Sequence, residues 1–576
     1  MSRYALLVTW DELVIAAQIW IEGDPDPQTR SELQELINTG DREELAERMA
    51  GTLEFGTSGL RGEVAAGSRR MNRAVVIRST RGLADYLLSN TVGNPPCVVV
   101  GRDARPTSEA FMRDVIGVFL AAGLTVEYFP EPIPTPIVAY ATLSRGAHAA
   151  VVITASHNPL SDNGYKVYGA NGAQIIPPSD RYIAEAIAAV GPAIDVPRVE
   201  DFEEHERSRV LDDAVFDRYL GDMELTRVRP VAVPSFKIAY TPLHGVGGKY
   251  VVAALAHAGY VDVHLAGAQF DPDGTFPTVR FPNPEEPGAL NLVYDLASRV
   301  DADLVIANDP DADRLAIGLP SEYGWSALTG NQIGVLLADH LLENTKVENP
   351  VVVSSVVSSP MLGVIAAFRR ARFAQSLTGF KWIWNAGLEL ESAGGTFVFG
   401  YEEALGYSIG RAVHDKDGIS AAVAFADLVA ACVVEGMTVA DRLEALYRKH
   451  ALWVSSQANV VCPGLDGASK IEVVMNQITM DPPQSLSGVE ITSVIDYSVG
   501  AETRPRYLPA AKLVELELGE LGRLLIRPSG TEPKLKIYGD LQSDVSKVAD
   551  MRSAEKKLLD RIDKLISDLI DYLRLD

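Results

Sequence analysis

Along most of its length this chain alternates short runs of β-branched and aliphatic residues with stretches of helical periodicity, and few architectures accept that alternation. Parallel strands joined by crossover helices do, so the expected fold class is α/β, with mixed, mostly parallel sheets. Strands are predicted over Cys97–Val100, Ala149–Ile153, Lys237–Tyr240, Asp303–Ala307, Val351–Ser354 and Thr396–Phe399. Several run into small or polar residues, and in open α/β sheets the loops beyond strand C-termini bind ligands. A chain of 576 residues is too long for one hydrophobic core; roughly 150 residues per domain points to about four. The acidic, Pro-bearing stretch 196–209, the polar turn 320–324 and a change of pattern near His450 set the expected divisions at 1–208, 209–322, 323–452 and 453–576. Leu558, Ile562, Leu565, Leu569 and Leu573 recur at helical spacing, which predicts an amphipathic helix on a small terminal domain.

Charge narrows the partners. With 52 basic and 77 acidic residues the net charge is -25, and no Lys/Arg run offsets it, so neither nucleic acid nor a membrane is expected as a partner. An anionic substrate needs a local cluster of Arg and Lys. The apolar run Ile419–Val434 is short for a membrane span and carries Ser420 and Asp427, so a buried helix is predicted. At the N-terminus Asp11 and Glu12 interrupt anything resembling a secretion signal. Cys97, Cys432 and Cys462 are too scattered for a zinc knuckle or a disulfide framework, which favours a reducing, cytoplasmic setting.

Four loops carry chemistry. Thr154-Ala155-Ser156-His157-Asn158-Pro159 leaves a hydroxyl at the C-terminal end of a buried strand, where a nucleophile would sit and where a plain Ser/Asn/Pro turn would also do. No Gly-x-Ser-x-Gly elbow surrounds it, which disfavours a hydrolase triad. Asp309-Pro310-Asp311-Ala312-Asp313-Arg314 sets three carboxylates on alternate residues of a tight loop, hard ligands for magnesium or calcium. An EF-hand is excluded, because its sixth and twelfth positions hold Arg314 and Pro320. A solvated acidic turn is the alternative, although three like charges this close repel one another unless a cation joins them. Arg527-Pro528-Ser529-Gly530-Thr531-Glu532-Pro533-Lys534 gathers a guanidinium, hydroxyls and a flexible turn, which suits a phosphate monoester or else forms an exposed basic turn. Gly400-Tyr401-Glu402-Glu403-Ala404-Leu405-Gly406 offers paired carboxylates that either accept from sugar hydroxyls or are simply solvated.

In this order and at these separations the four segments resemble the α-D-phosphohexomutase superfamily of phosphoglucomutases and phosphomannomutases. Phe55–Gly62, Gly101–Arg105, Asn163–Tyr168 and Thr378–Trp382 extend the resemblance over nearly the whole chain. Tyr401–Ala404 and His414-Asp415-Lys416-Asp417-Gly418 look most like the branch holding phosphoglucomutase-2-type enzymes and phosphopentomutases. The resemblance implies three related α/β domains and a smaller C-terminal α+β domain around a cleft, with sugar phosphates as substrates. It implies a phosphoserine at Ser156, and Mg2+ held by Asp309, Asp311, Asp313 and an oxygen of that phosphoserine. Lys166 is then the candidate acid/base, with Arg61, His157 and Arg314 at the transferring group. Glu402, Glu403 and Lys381 would bind the sugar; Arg527, Ser529, Gly530 and Thr531 would grip the other phosphate. The implied reaction interconverts glucose or mannose 1- and 6-phosphates through a hexose 1,6-bisphosphate, which also serves as primer. Many hexose-specific members have Ser where this chain has Ala404, so phosphopentomutase and hexose bisphosphate synthase activities stay open, and oligomeric state has no sequence signature here.

Overall fold

In the computed structural model, which describes residues 9–56, 59–228, 234–322, 324–462, 467–529 and 534–574, the chain forms two compact units. One comprises Met1–Arg227, Ser235–Leu328 and Gly406–Ala426; the other comprises Val228–Pro234, Thr329–Leu405 and Asp427–Asp576.

The first unit holds two sheets. Strands β1 (Leu60–Glu63), β2 (Cys97–Arg102), β3 (Thr125–Tyr128), β4 (Ala149–Ile153), β5 (Asp162–Gly169) and β6 (Ser208–Val210) lie in the order β1-β5-β4-β2-β3-β6. Strands β7 (Ile238–Thr241), β8 (Val263–Leu265), β9 (Leu304–Ala307), β10 (Ala316–Ser321) and β11 (Gly324–Ala327) lie in the order β11-β10-β9-β7-β8. Parallel pairs dominate the middle, as the alternating pattern requires: β2 with β3 and β4, and β7 with β8 and β9. The strand after each functional loop instead turns back antiparallel, pairing Val151 with Val167 and Ile306 with Ile317. A parallel return needs a crossover of a dozen or more residues, and these loops are too short for one. Both loops are thereby held at each end by neighbouring strands of one sheet.

Every residue of β4 and β9 is buried, which explains their unbroken apolar sequences. Val98, Val100, Val151 and Ile153 form a core with Phe111, Ile116 and Phe119 of helix Ser108–Ala121 and with Val76 and Leu83 of helix Arg73–Asn90.

In the second unit β12 (Pro350–Ser355) runs parallel to both β13 (Arg372–Ser376) and β14 (Thr396–Glu402). After β15 (Gly406–Ile409), which counts with the first unit, the chain builds a sheet with antiparallel pairing throughout. Its strands are β16 (Leu452–Val461), β19 (Ser493–Asp496), β20 (Val514–Glu517), β21 (Gly522–Pro528) and β22 (Lys534–Ser543), in the order β16-β22-β21-β20-β19. Strands β17 (Ser485–Leu486) and β18 (Val489–Glu490) pair antiparallel as a separate two-stranded sheet. Helix Met551–Tyr572 buries Leu558, Ile562, Leu565 and Leu569 against β16 and β22, as its periodicity predicts. The apolar run around residue 419 forms helix Gly418–Glu435; by length and composition alone it would pass for a membrane span, yet most of it is buried within the protein.

Candidate active site

The strand-end loop folds so that Ser156 adopts a left-handed backbone, φ 51°, which costs a non-glycine residue about 1–3 kcal/mol and persists only where surroundings impose it. Here they do. Thr154 Oγ1 accepts from the Ser156 N–H at 2.9 Å, and the Ser156 carbonyl is held by Arg105. Ser156 is 3% exposed, and its Oγ donates to Asp309 Oδ2 at 2.7 Å, so the nucleophile candidate and the acidic loop meet directly.

Asp309, Asp311 and Asp313 are all fully buried, with ligand oxygens within 4.8 Å of one another. The loop is pinned from several sides: Thr135 Oγ1 donates to Asp311 Oδ2 at 2.8 Å, and the Arg314 N–H donates to Asp309 Oδ1 at 3.1 Å. Gly418 must be glycine there, since a Cβ would come within 2.3 Å of the Arg314 carbonyl oxygen. Lys166 Nζ lies 2.6 Å from Asp311 Oδ2 and 3.0 Å from Asp313 Oδ2; Lys416 Nζ lies 3.1 Å from Asp313 Oδ2. Burial opposes ionisation of Asp313, but Lys166, Lys416 and Arg314 overcome it and hold the carboxyl far below its ordinary value. Asp309 has Arg314 but neither lysine: burial, then repulsion from Asp313 and Asp311, outweighs that attraction and drives it well above the ordinary range. Asp311 Oδ1 and Asp313 Oδ1 are buried without a hydrogen-bond donor. Three hard oxygens, two of them orphaned and one carboxyl reluctant to ionise, fit a small divalent cation in both charge and ligand type.

Lys166 is pushed up in pKa: burial acts against it, and attraction from Asp311 and Asp313 outweighs burial. It is therefore an ammonium near neutral pH, able to give a proton rather than take one. His157 has the opposite tendency, held well below its ordinary value by burial and by the cations Arg314 and Arg61. Arg314 Nη2 sits 3.3 Å from His157 Nε2. A guanidinium only donates, so Nε2 accepts and the proton of the neutral ring is on Nδ1, 3.0 Å from Ser156 Oγ. In this chain of bonds His157 cannot remove the Ser156 proton. Arg61 Nη1 donates to Asn158 Oδ1 at 3.0 Å, and Arg314 Nη1 to Glu285 Oε2 at 3.2 Å.

The His157 environment has a consequence for stability. Below the unfolded pKa of about 6.5 the unfolded chain binds a proton that the folded ring refuses, so stability falls as pH drops, by at most about 1.4 kcal/mol per pH unit for one site. Thermal midpoints compared between pH 7 and 5 should decline less for His157→Gln than for the parent; an equal decline would show that the folded ring titrates normally.

The second unit carries the other predicted residues. Glu402 Oε2 accepts from the Gly379 N–H at 3.0 Å, which joins its loop to the turn preceding Lys381 at the start of helix Phe380–Ser392. Glu403 Oε2 accepts from Ser355 Oγ and Ser358 Oγ, each at 3.0 Å, so that oxygen already holds its own loop. Arg527 Nε and Nη2 donate to Tyr538 Oη at 3.3 and 3.2 Å. The Ser529 N–H donates to the Lys534 carbonyl at 2.8 Å; Gly530 and Thr531 lie outside the described residues.

Two basic residues escape the sequence reading. Lys416 reaches Asp313 because its neighbours are anchored: Asp415 Oδ2 accepts from Tyr168 Oη at 2.6 Å and Gln174 Nε2 at 2.9 Å, and Asp417 Oδ2 from Tyr219 Oη at 2.7 Å. The Asp-Lys-Asp alternation was the available signal. Arg105 is the other. Its segment is visible as part of the resemblance, but only the fold shows what it touches.

Models of the phosphoglucomutase/phosphomannomutase family match four successive segments: alpha/beta/alpha domain I over residues 52–192, domain II over 217–321, domain III over 329–450 and the C-terminal domain over 500–558. The chain is 39% identical over 493 residues to a Haemophilus influenzae protein named "Probable phosphomannomutase", covering 84% of this chain and 96% of that one. It is 34% identical over 561 residues to the phosphopentomutase of Mus musculus, covering 91% and 89%. The fold is shared with the Paramecium phosphoglucomutase parafusin, with a TM-score of 0.69 at 18% identity over 91% of this chain and 96% of that one.

Proposed function

This chain belongs to the phosphoglucomutase/phosphomannomutase family and is a phosphohexomutase-type isomerase, and on that premise we propose that it interconverts the 1- and 6-phosphates of glucose or mannose through a phosphoserine at Ser156. The observation that carries the reading is the 2.7 Å hydrogen bond from Ser156 Oγ to Asp309 Oδ2 at the edge of a buried carboxylate triad. Mg2+ held by Asp309, Asp311 and Asp313 would supply positive charge to a phosphoryl group in transfer.

The chain's own residues account for the rest. The hexose 6-oxygen bonds to the phosphorus on Ser156, the bond from phosphorus to Oγ breaks, and the hydroxyl proton ends on Oγ. The resulting 1,6-bisphosphate turns around and returns its 1-phosphoryl group to Ser156, leaving the 6-phosphate; added bisphosphate primes unphosphorylated enzyme by the same step. Arg61, Arg314 and the neutral His157 steady the transferring group, and Lys166 acts as the acid. Arg527 and Ser529, with Gly530 and Thr531, hold the phosphate that is not moving. Glu402 and Glu403, with Lys381, read the sugar hydroxyls.

A pentose reading, 1-phosphate to 5-phosphate, has its own support in the match to a phosphopentomutase over nearly both lengths, while Ala404 by itself selects neither sugar. Turnover of glucose, mannose, ribose and deoxyribose 1-phosphates, primed with hexose 1,6-bisphosphate, separates the two. We expect a hexose phosphate to lead in kcat/KM by at least about tenfold. The reverse order would establish the pentose reading, net accumulation of hexose bisphosphate would indicate a bisphosphate synthase, and release of inorganic phosphate alone would sink the mutase reading.

A further inference from the structure

We propose that Arg105 is the positioning residue that sets the nucleophile loop against the acidic loop, and that it keeps phosphoryl transfer directed to sugar rather than to water; this rests on the reading of Ser156 as the phosphate carrier. Arg105 is 2% exposed. Its Nη1 donates to the Pro159 carbonyl at 2.6 Å and the Asp162 carbonyl at 2.8 Å, and its Nη2 to the Ser156 carbonyl at 2.9 Å and the Asn158 carbonyl at 2.6 Å. Nε forms an ion pair with buried Asp103 at 3.2 Å. One planar group thus holds the loop from the left-handed residue Ser156 through to Asp162 at the start of β5.

The opposite side of Arg105 meets the neighbouring sheet's loops. The ring of Phe276 lies 5.2 Å from the guanidinium carbon, with Phe276 itself in a left-handed backbone at φ 49°. Gly274 approaches so closely that a Cβ there would come within 2.5 Å of Arg105 Cα. The loop bearing Phe276 is tied in turn to the platform beneath the acidic residues: the Asp273 N–H donates to the His244 carbonyl at 2.9 Å, and the Val246 N–H to the Pro310 carbonyl at 2.8 Å. Arg105 is therefore the shared contact of the loop carrying Ser156 and of the packing that supports Asp309.

Lysine does not substitute in such a role, because a point-like ammonium with three donors cannot span four carbonyls in fixed directions. A misplaced phosphoserine transfers poorly to the sugar hydroxyl while remaining open to water. In that side reaction the water oxygen bonds to phosphorus, the bond to Oγ breaks, one water proton goes to Oγ and the other stays on the phosphate.

The test uses full-length enzyme phosphorylated with hexose bisphosphate, with Ser156 occupancy mapped by mass spectrometry. Per phosphorylated Ser156, Arg105→Lys should raise the ratio of inorganic phosphate released to sugar isomerised at least tenfold, and should move or broaden the phosphoserine 31P resonance. Phe276→Leu should shift the ratio the same way by a smaller factor, and it decides the matter if Arg105→Lys does not fold. A merely structural role lowers the amount of active enzyme and leaves the ratio unchanged; an unchanged ratio with Ser156 phosphorylated overturns this inference alone. Absence of phosphate on Ser156 in the parent enzyme overturns the carrier reading and this one with it.

Discussion

Ser156→Ala should lower mutase turnover by on the order of 10^5-fold, to the limit of detection, because a covalent carrier has no partial substitute. Other side chains near the acidic loop cannot take over. Lys166 is committed to Asp311 and Asp313, and His157 faces Ser156 with a proton rather than a lone pair. The fold should survive. The alanine variant would keep the backbone bonds to Thr154 and Arg105 and lose both contacts of Oγ, the one donated to Asp309 Oδ2 and the one to His157 Nδ1, with a loss of about 1–3 kcal/mol for each buried group left unpaired. Isomerisation of glucose 1-phosphate followed by 31P NMR, together with mass spectrometry after bisphosphate treatment, checks both parts. Substantial turnover without phosphate on the loop would mean that the group passes directly between sugar positions, and the carrier reading would fail.

The chemistry of these loops was more legible than their support. Strand β4 could be read from its unbroken apolar run, its Ser-His-Asn-Pro loop only in the company of the other three loops because a plain turn fits it equally, and the acidic loop because like charges at alternate positions need a reason. The antiparallel returns of β5 and β10 follow from loop length and were hidden by the parallel pattern on either side. The Arg105 segment belongs to the resemblance, but its role was hidden: Arg105 spends its terminal nitrogens on main-chain oxygens, whose positions only the fold provides. Lys416 lies 103 residues beyond Asp313 in sequence, and its approach depends on tyrosines from two other segments holding Asp415 and Asp417. Glu402 and Glu403 look equivalent in sequence, and the fold separates them by giving an oxygen of Glu403 to two serines.

Metal dependence should show opposite signs in activity and in stability at Asp309. Chelation by EDTA should reduce turnover at least about a thousandfold, since the charge it removes is worth several kcal/mol to phosphoryl transfer. Added Mg2+ should raise the thermal midpoint, with a stabilisation of about 2.7 kcal/mol at a hundred times the dissociation constant. Asp309→Asn should abolish both responses and yet unfold at the same or a higher temperature than the parent without metal. The sign follows from the environment. Burial and the charges of Asp313 and Asp311 raise the folded pKa of Asp309, so in the absence of metal its ionisation opposes folding, increasingly as pH climbs from the unfolded value toward the folded one. Asparagine removes that charge while still bonding both Ser156 and the Arg314 N–H. Asp313→Asn differs, because Lys166 and Lys416 then lose a shared counter-ion in a buried site, and the metal-free midpoint should fall. Equal and opposite shifts are not required; what would defeat the argument is a metal-free Asp309→Asn protein less stable than the metal-free Asp313→Asn one.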